Sequence, residues 1–171
     1  MNVKQRAETI GTFRFIEVRL METAAYWVPL TPEMEVKVLL GRHIWDFAQH
    51  ADWLGKRAFE LRQPENFTRK AHDHYVELLD SLKEAKETAE KLSLMYDVIL
   101  PGLTRRYEQY LAETDQLLDG PSVVIVQRIT MDLRRQMADA AKLRKENSLP
   151  AAPINSARDR EIAIATVVAQ G

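Results

Sequence analysis

The sequence predicts an all-α fold of long helices. Six glycines and seven prolines are all that 171 residues contain, and the prolines fall between apolar stretches instead of inside them. Between those punctuation points apolar residues recur at three- and four-residue spacing, which gathers them on one face of a helix. By length the chain makes one domain, large enough to bury a core without covalent staples. Residues 1–147 are expected to form a helical body and residues 148–171 a linker followed by a short apolar helix or tail.

The first helix is expected from about Val3 to Val28, ending at Pro29, which has no backbone donor to continue the ladder. Phe13, Ile16, Leu20, Ala24 and Trp27 define its apolar face. Glu17 lies on the edge of that stripe, and Glu22 points well away. Thr31-Pro32-Glu33 supplies an N-cap candidate, a proline for the first turn and acidic charge at the positive end of a second helix running to about Leu61. Gln63-Pro64-Glu65-Asn66 reads as a turn, with Asn66 or Thr68 capping a third helix that reaches the Leu92 to Leu100 region. Pro101-Gly102 should kink or break it. The stretch that follows, to Leu118, has Leu103, Tyr107, Tyr110, Leu111, Thr114 and Leu117 on its inward face. Asp119-Gly120-Pro121 repeats the cap-plus-proline device and opens a last long helix to about Glu146. There Ile125, Ile129, Leu133, Ala140 and Leu143 face inward, with Asp132 and Gln136 at the margin. Ser148 to Pro153 is a linker by composition. Ser156 to Asp159 has the form of a capping box for a C-terminal helix whose end, Ile162 to Ala169, is almost wholly apolar and must be covered by its own bundle or by a partner chain.

Composition excludes several function classes. Without cysteine there is no disulfide, thiolate metal site or cysteine nucleophile, and the chain is expected to be cytoplasmic. With 24 basic and 25 acidic side chains, net charge −1, it lacks the excess that nucleic-acid or anionic-membrane binding uses. Arg105-Arg106 and Arg134-Arg135 read as solvated helix faces. Charges at Lys4, Arg6, Glu8, Arg14, Glu17 and Arg19 break any signal-peptide core. No apolar run approaches the roughly 20 residues that cross a bilayer, so a soluble protein is expected.

The stretch HIWDFAQH, His43 to His50, is where chemistry is expected. At about 100° per residue, Val36, Leu39, Leu40, His43, Asp46, Phe47, His50, Leu54 and Ala58 share one face of the second helix. The two imidazoles and the carboxylate therefore lie inside the apolar stripe. Burying them unpaired costs several kcal/mol, so they require partners: one another, side chains of facing helices, or a metal ion. A self-satisfied His–Asp–His ladder and a metal site both meet that requirement. Glu17 is the first helix's candidate donor. Asp132 and Gln136, four residues apart, are those of the last. Tyr107 and Tyr110 are amphipathic groups suited to bonding a buried carboxylate, ligating iron or filling space. His72 and His74 would point about 200° apart on a helix and read as surface residues. Trp45 and Val38, on the rear of the second helix, indicate a second covered face, against the C-terminal tail or across a dimer.

The segment TPEMEVKVLLGRHIWDFAQHADWLGKRAFELR, with YEQYLAETDQLLDGPSVVIVQRITMDLRRQMAD downstream, resembles a bacterial group of ferritin-like four-helix-bundle proteins. The most specific pieces are the histidine run and the D-x-L-x-D-x-P-[ST] pattern, here Asp115 to Ser122. The resemblance implies an antiparallel four-helix bundle with an additional helical segment and a C-terminal tail. Relatives of that fold hold two iron or manganese ions with a Glu and a Glu-x-x-His from each half. Glu17 matches the first glutamate, and Asp46 with His50 stands for the second element at a spacing of four. The second half offers no inward glutamate, and Asp132 with Gln136 replaces its Glu and His. The implied site is thus at most a single Fe or Mn ion held by Glu17, His43, Asp46, His50 and Asp132, with Tyr107 or Tyr110 as proton or electron relay. Two functions follow: a non-catalytic dimerisation or partner-docking module that has lost its metal, with a homodimer or helical partner, or a non-haem redox or oxygen-activating enzyme acting on a small molecule.

Overall fold

A computed structural model describes residues 1–169 and is all-helical, with one isolated bridge, Ala71 to Val168, as the only β pairing among them. In chain order the helices are α1 (Val3–Trp27), α2 (Met34–Glu60), α3 (Asp73–Ser81), α4 (Thr88–Leu94), α5 (Leu100–Glu113), α6 (Gly120–Glu146) and α7 (Asn155–Ala163). No helix is long and apolar enough to cross a membrane among the described residues. α1 packs along α2, α2 against α6, and α6 against α5. α2 and α6 run in opposite directions, since Asp46 meets Arg135 while Arg57 meets Ser122, and Glu17 of α1 meets His50 of α2. Their inward stripes make the core. Phe13, Ile16, Leu20, Ala24 and Trp27 are buried on α1, and Leu40, Phe47, Leu54 and Ala58 on α2.

Local chemistry sets the boundaries, and in several places it overrides the expected signals. α1 opens with a capping box in which Asn2 and Gln5 exchange side-chain and backbone bonds of 2.8 Å. Thr31 does not cap α2. Its hydroxyl turns back to the Trp27 carbonyl at 2.8 Å, satisfying the end of α1, while Glu33 holds the N-cap position without a side-chain cap. The third helix does not start at Asn66 or Thr68. Arg62 and Asn66 take left-handed φ of 67° and 64°, and residues 62–72 cross α1 as an extended segment. Gly11 makes that crossing possible, because a Cβ there would collide with the Phe67 ring. Arg14 and the Gly11 carbonyl then hold Phe67 and Arg69 by their backbone. α3 is capped by His72, and the chain breaks again at Ala85 before α4.

Pro101 does not break the helix it enters. The ladder slips by one residue through a π turn at Met95–Ile99, where the Leu100 amide bonds the Met95 carbonyl, and α5 runs on through the proline. α5 ends at Glu113, earlier than expected, so Leu117 is not an inward residue: it is 88% exposed at the tip of the α5–α6 turn. The Ser156 capping box does not form. The C-terminal arm returns to the bundle beside α3 and α5, but of its apolar stretch only Val167 is buried among residues 162–169, and Ile162 is exposed.

Candidate functional site

A buried polar seam follows the inner face of α2. His43 and His50 are both fully buried, two turns apart, and their rings face α6. At the His50 level, Nδ1 lies 3.1 Å from Glu17 Oε2, and the Tyr107 hydroxyl donates to Glu17 Oε1 at 2.5 Å. On the other side of the ring, Nε2 lies 3.5 Å from Asp132 Oδ2. Glu17 is completely buried, deeper than its edge position on α1 indicated. At the His43 level, Nδ1 lies 2.7 Å from the Tyr96 hydroxyl, and Nε2 lies 3.8 Å from Asp139 Oδ2. Between the two levels Asp46 accepts from Arg135 at 2.8 Å and from the Gln136 amide at 3.1 Å. The same guanidinium reaches Asp132 at 3.3 Å and Asp139 at 3.5 Å.

The histidines differ in electrostatics because they differ in company. Burial pushes the His43 pKa down to about 4, more than the carboxylates of Asp46 and Asp139 raise it, so this ring is neutral at neutral pH. Burial opposes charge on His50 as well, but Glu17 and Asp132 flank it and together raise its pKa. Burial and the Glu17 carboxylate hold the Tyr107 pKa well above the usual tyrosine range. Burial works against the Asp132 carboxylate, yet its bonds to Arg135 and Arg128 keep its pKa low.

The seam does not assemble as a self-contained His–Asp–His ladder: His43, Asp46 and His50 each bond partners on other helices. Nor do the five expected ligands converge. Glu17 and Asp132 sit on opposite nitrogens of one imidazole, His43 belongs to another level, and Asp46 is engaged by Arg135 and Gln136. Among the described residues no three His, Asp or Glu side chains gather closely enough to hold a metal ion. The donors form an ion-pair and hydrogen-bond network, with Arg135 as the cation among three carboxylates. Tyr107 belongs to the seam, but Tyr110 does not. The Phe13 ring stands edge-on to both, at 4.5 and 5.8 Å between centroids, and the Tyr110 hydroxyl turns instead to Asp119.

Asp119 is the second buried polar centre, and it stands at the N-cap position of α6 as expected. Its side chain makes no cap bond to α6. One carboxylate oxygen accepts from Tyr110 and from Thr114 at 2.7 Å. The other accepts from Ser122 at 2.6 Å and Arg57 at 3.2 Å. These bonds outweigh burial and lower its pKa. The D-x-L-x-D-x-P-[ST] pattern is thus a turn lock, with Asp115 holding the Leu117 and Leu118 amides at 2.9 and 2.8 Å.

Tyr96, Asp139 and Arg135 escaped sequence reasoning. Asp139 stands seven residues after Asp132 and so on the same face of α6, a legible signal. Tyr96 was hidden because the π turn rotates everything before it by about one residue, roughly 100°. His72 and His74 do not diverge, since His72 precedes α3, and their rings lie 5.1 Å apart. Trp45 is not covered by the tail: it is 66% exposed. Compared with protein-family models, curated proteins and solved structures, the chain matches none.

Proposed function

We propose that the chain is a ferritin-like antiparallel four-helix bundle that serves as a non-catalytic homodimerisation module, with the outer face of α2 as its interface. The observation that carries this reading is the exposure of Trp45 on a helix whose other face is fully committed to the core. Met34, Val38 and Phe59 are exposed along the same side. With Gly41 and Ala48 they follow the spacing of a helix–helix seam at positions 34, 38, 41, 45 and 48, which Asp52 interrupts before Phe59. Around Gly41 no atom lies within 4 Å of where a Cβ would stand. A groove of about 360 Å³ adjoins it between α2 and α6, bounded by Met34, Val38, Arg42 and Leu143.

The face is complementary to itself. Placed antiparallel across a two-fold axis near the level of residue 43, Trp45 of one copy seats over Gly41 of the other, and Val38 over Ala48. Both pairs occur twice, which closes the interface isologously. A tryptophan in a desolvated pocket is the kind of residue that dominates such an interface. Sedimentation velocity tests this. The unchanged chain is expected to sediment at twice its 19.7 kDa mass at micromolar concentration. Trp45→Ala and Gly41→Leu are each expected to weaken association at least about tenfold with helix content unchanged. A monomer at about 100 μM, in the same range as weak transient contacts, would overturn the reading.

A second reading, a non-haem iron or manganese protein, is supported by one observation: Nε2 of His43 and of His50 are buried without a hydrogen-bond partner. Near-stoichiometric metal in protein made in iron- and manganese-supplemented medium, lost in His50→Ala, is its test. Metal-free protein from that medium would remove it.

A further inference from the structure

α7 is held by a charge and not by an apolar stripe. Glu161 is its one buried residue, and Ile162 beside it is exposed. The Glu161 carboxylate enters a cradle at the start of α5. Arg106 donates to one of its oxygens and Arg105 to the other at 2.6 Å. Gly102 provides the floor, because a Cβ there would stand where the carboxylate lies. Behind it the Arg106 guanidinium stacks 5.1 Å from the centroid of the Tyr75 ring, whose buried hydroxyl has no partner.

Beyond α7 the arm is read through its backbone. Arg106 donates to the Glu161 and Ile164 carbonyls at 3.3 and 2.8 Å. The His72 amide donates to the Val167 carbonyl at 2.8 Å, Ala71 and Val168 pair as an antiparallel bridge, and Arg69 donates to the Ala169 carbonyl at 2.8 Å. Val167 alone among residues 165–169 is buried. One carboxylate, a run of main-chain carbonyls against an extended edge, and one small apolar side chain are the elements by which domains recognise peptides. A buried ion pair contributes geometric selectivity more than net stability, which suits an occupant that comes and goes.

We propose that the Gly102–Arg105–Arg106 cradle and the adjoining edge at residues 69–72 form a recognition groove for an acidic peptide segment of a partner protein, and that the C-terminal arm is its intramolecular occupant. The segment it takes carries a glutamate at the end of a short helix and, six positions on, a small apolar residue, with extended backbone from Ile164 onward. The arm is tethered through residues 147–154, which include Pro150 and Pro153. Tethering presents it at an effective concentration on the order of millimolar, so a free peptide enters only when the arm lets go.

The test uses a fluorescent peptide with the sequence of residues 155–169, titrated into full-length protein and followed by anisotropy. Glu161→Ala, which empties the cradle, is expected to bind it at least about tenfold more tightly than the unchanged chain, whose own arm competes. A peptide with alanine for its glutamate is expected to lose that gain. Adding Arg106→Gln or, with both arginines kept, Gly102→Ala to the Glu161→Ala chain is expected to abolish it, with circular dichroism checking that the helices persist. Equal binding by Glu161→Ala and the unchanged chain, or by the peptide lacking its carboxylate, would overturn the proposal. An Arg106-dependent dimer that forms in place of peptide capture would assign the groove to a second copy's arm and overturn it too.

Discussion

Asp119 and His50 are both buried polar groups in a helical core, and differently completed. Both oxygens of Asp119 are satisfied by four donors from α2, α5, the α5–α6 turn and α6. His50 is satisfied on Nδ1 and only approached on Nε2, and His43 repeats that asymmetry. A closed cluster has no remaining valence and fixes geometry, whereas a seam with unpartnered nitrogens keeps capacity for a proton or a ligand. The comparison separates two motifs that look alike in sequence, an aspartate-rich turn and a histidine-rich run.

The largest expected effect lies outside both clusters and calibrates them. Leu40→Asp puts an unpaired carboxylate into the fully buried stripe shared with His43 and Phe47 and is expected to cost more than about 4 kcal/mol in denaturant unfolding; unchanged stability would mean that this face of α2 is not the core. Asp119→Ala comes next, about 3 to 5 kcal/mol, because it removes the shared acceptor of Tyr110, Thr114, Ser122 and Arg57 and leaves that buried guanidinium only the exposed Glu60 as a carboxylate partner. The tyrosines sharpen the contrast. Tyr107→Phe strips Glu17 Oε1 of its one donor and is expected to cost about 2 kcal/mol, whereas Tyr110→Phe leaves Asp119 three donors and is expected to cost about 1 kcal/mol. Equal losses would erase the distinction between open seam and closed lock.

The effect that is smallest per step is a slope with pH. His43 has a folded pKa near 4, below its ordinary 6.5, so between those values the unfolded chain binds the proton first and stability falls as pH drops, by at most about 1.4 kcal/mol per pH unit. His50 has a raised pKa, so its contribution is full below the ordinary histidine value and is lost as pH rises through the folded one. Stability is expected to peak near pH 6.5, where the two meet. His43→Asn should flatten the acid limb and His50→Asn the alkaline one, as read by thermal unfolding across pH.

Much of this was legible because helical periodicity is a strong signal. The inward stripes of α1, α2 and α6, and the burial of His43 and His50 within one of them, follow from spacing alone. Asp46 departs from the reading: spacing put it inside the stripe with the histidines, whereas its side chain keeps 19% exposure at the edge and turns to Arg135 and Gln136. Partners on other helices depend on how helices dock, which no single stripe contains. The segment at residues 62–72 misled because left-handed Arg62 and Asn66 and the close approach over Gly11 are tertiary choices. Tyr96 was lost to a π turn, and Asp119 takes the cap position its local sequence signals while its carboxylate serves partners that only the packing brings near.

The proposed contact of the outer face of α2 with a second copy of itself is open to direct measurement, because the sequence has no cysteine. Val38→Cys with Ala48→Cys in one chain places two thiols about 15 Å apart along one helix, too far to join within it. In the antiparallel pair each thiol faces the other's counterpart. Under mild oxidation the double variant is expected to run as a covalent dimer on a non-reducing gel, while either single variant, or the double variant carrying Trp45→Ala, stays monomeric. A double variant that remains monomeric, or one that crosslinks equally well without Trp45, would contradict the account.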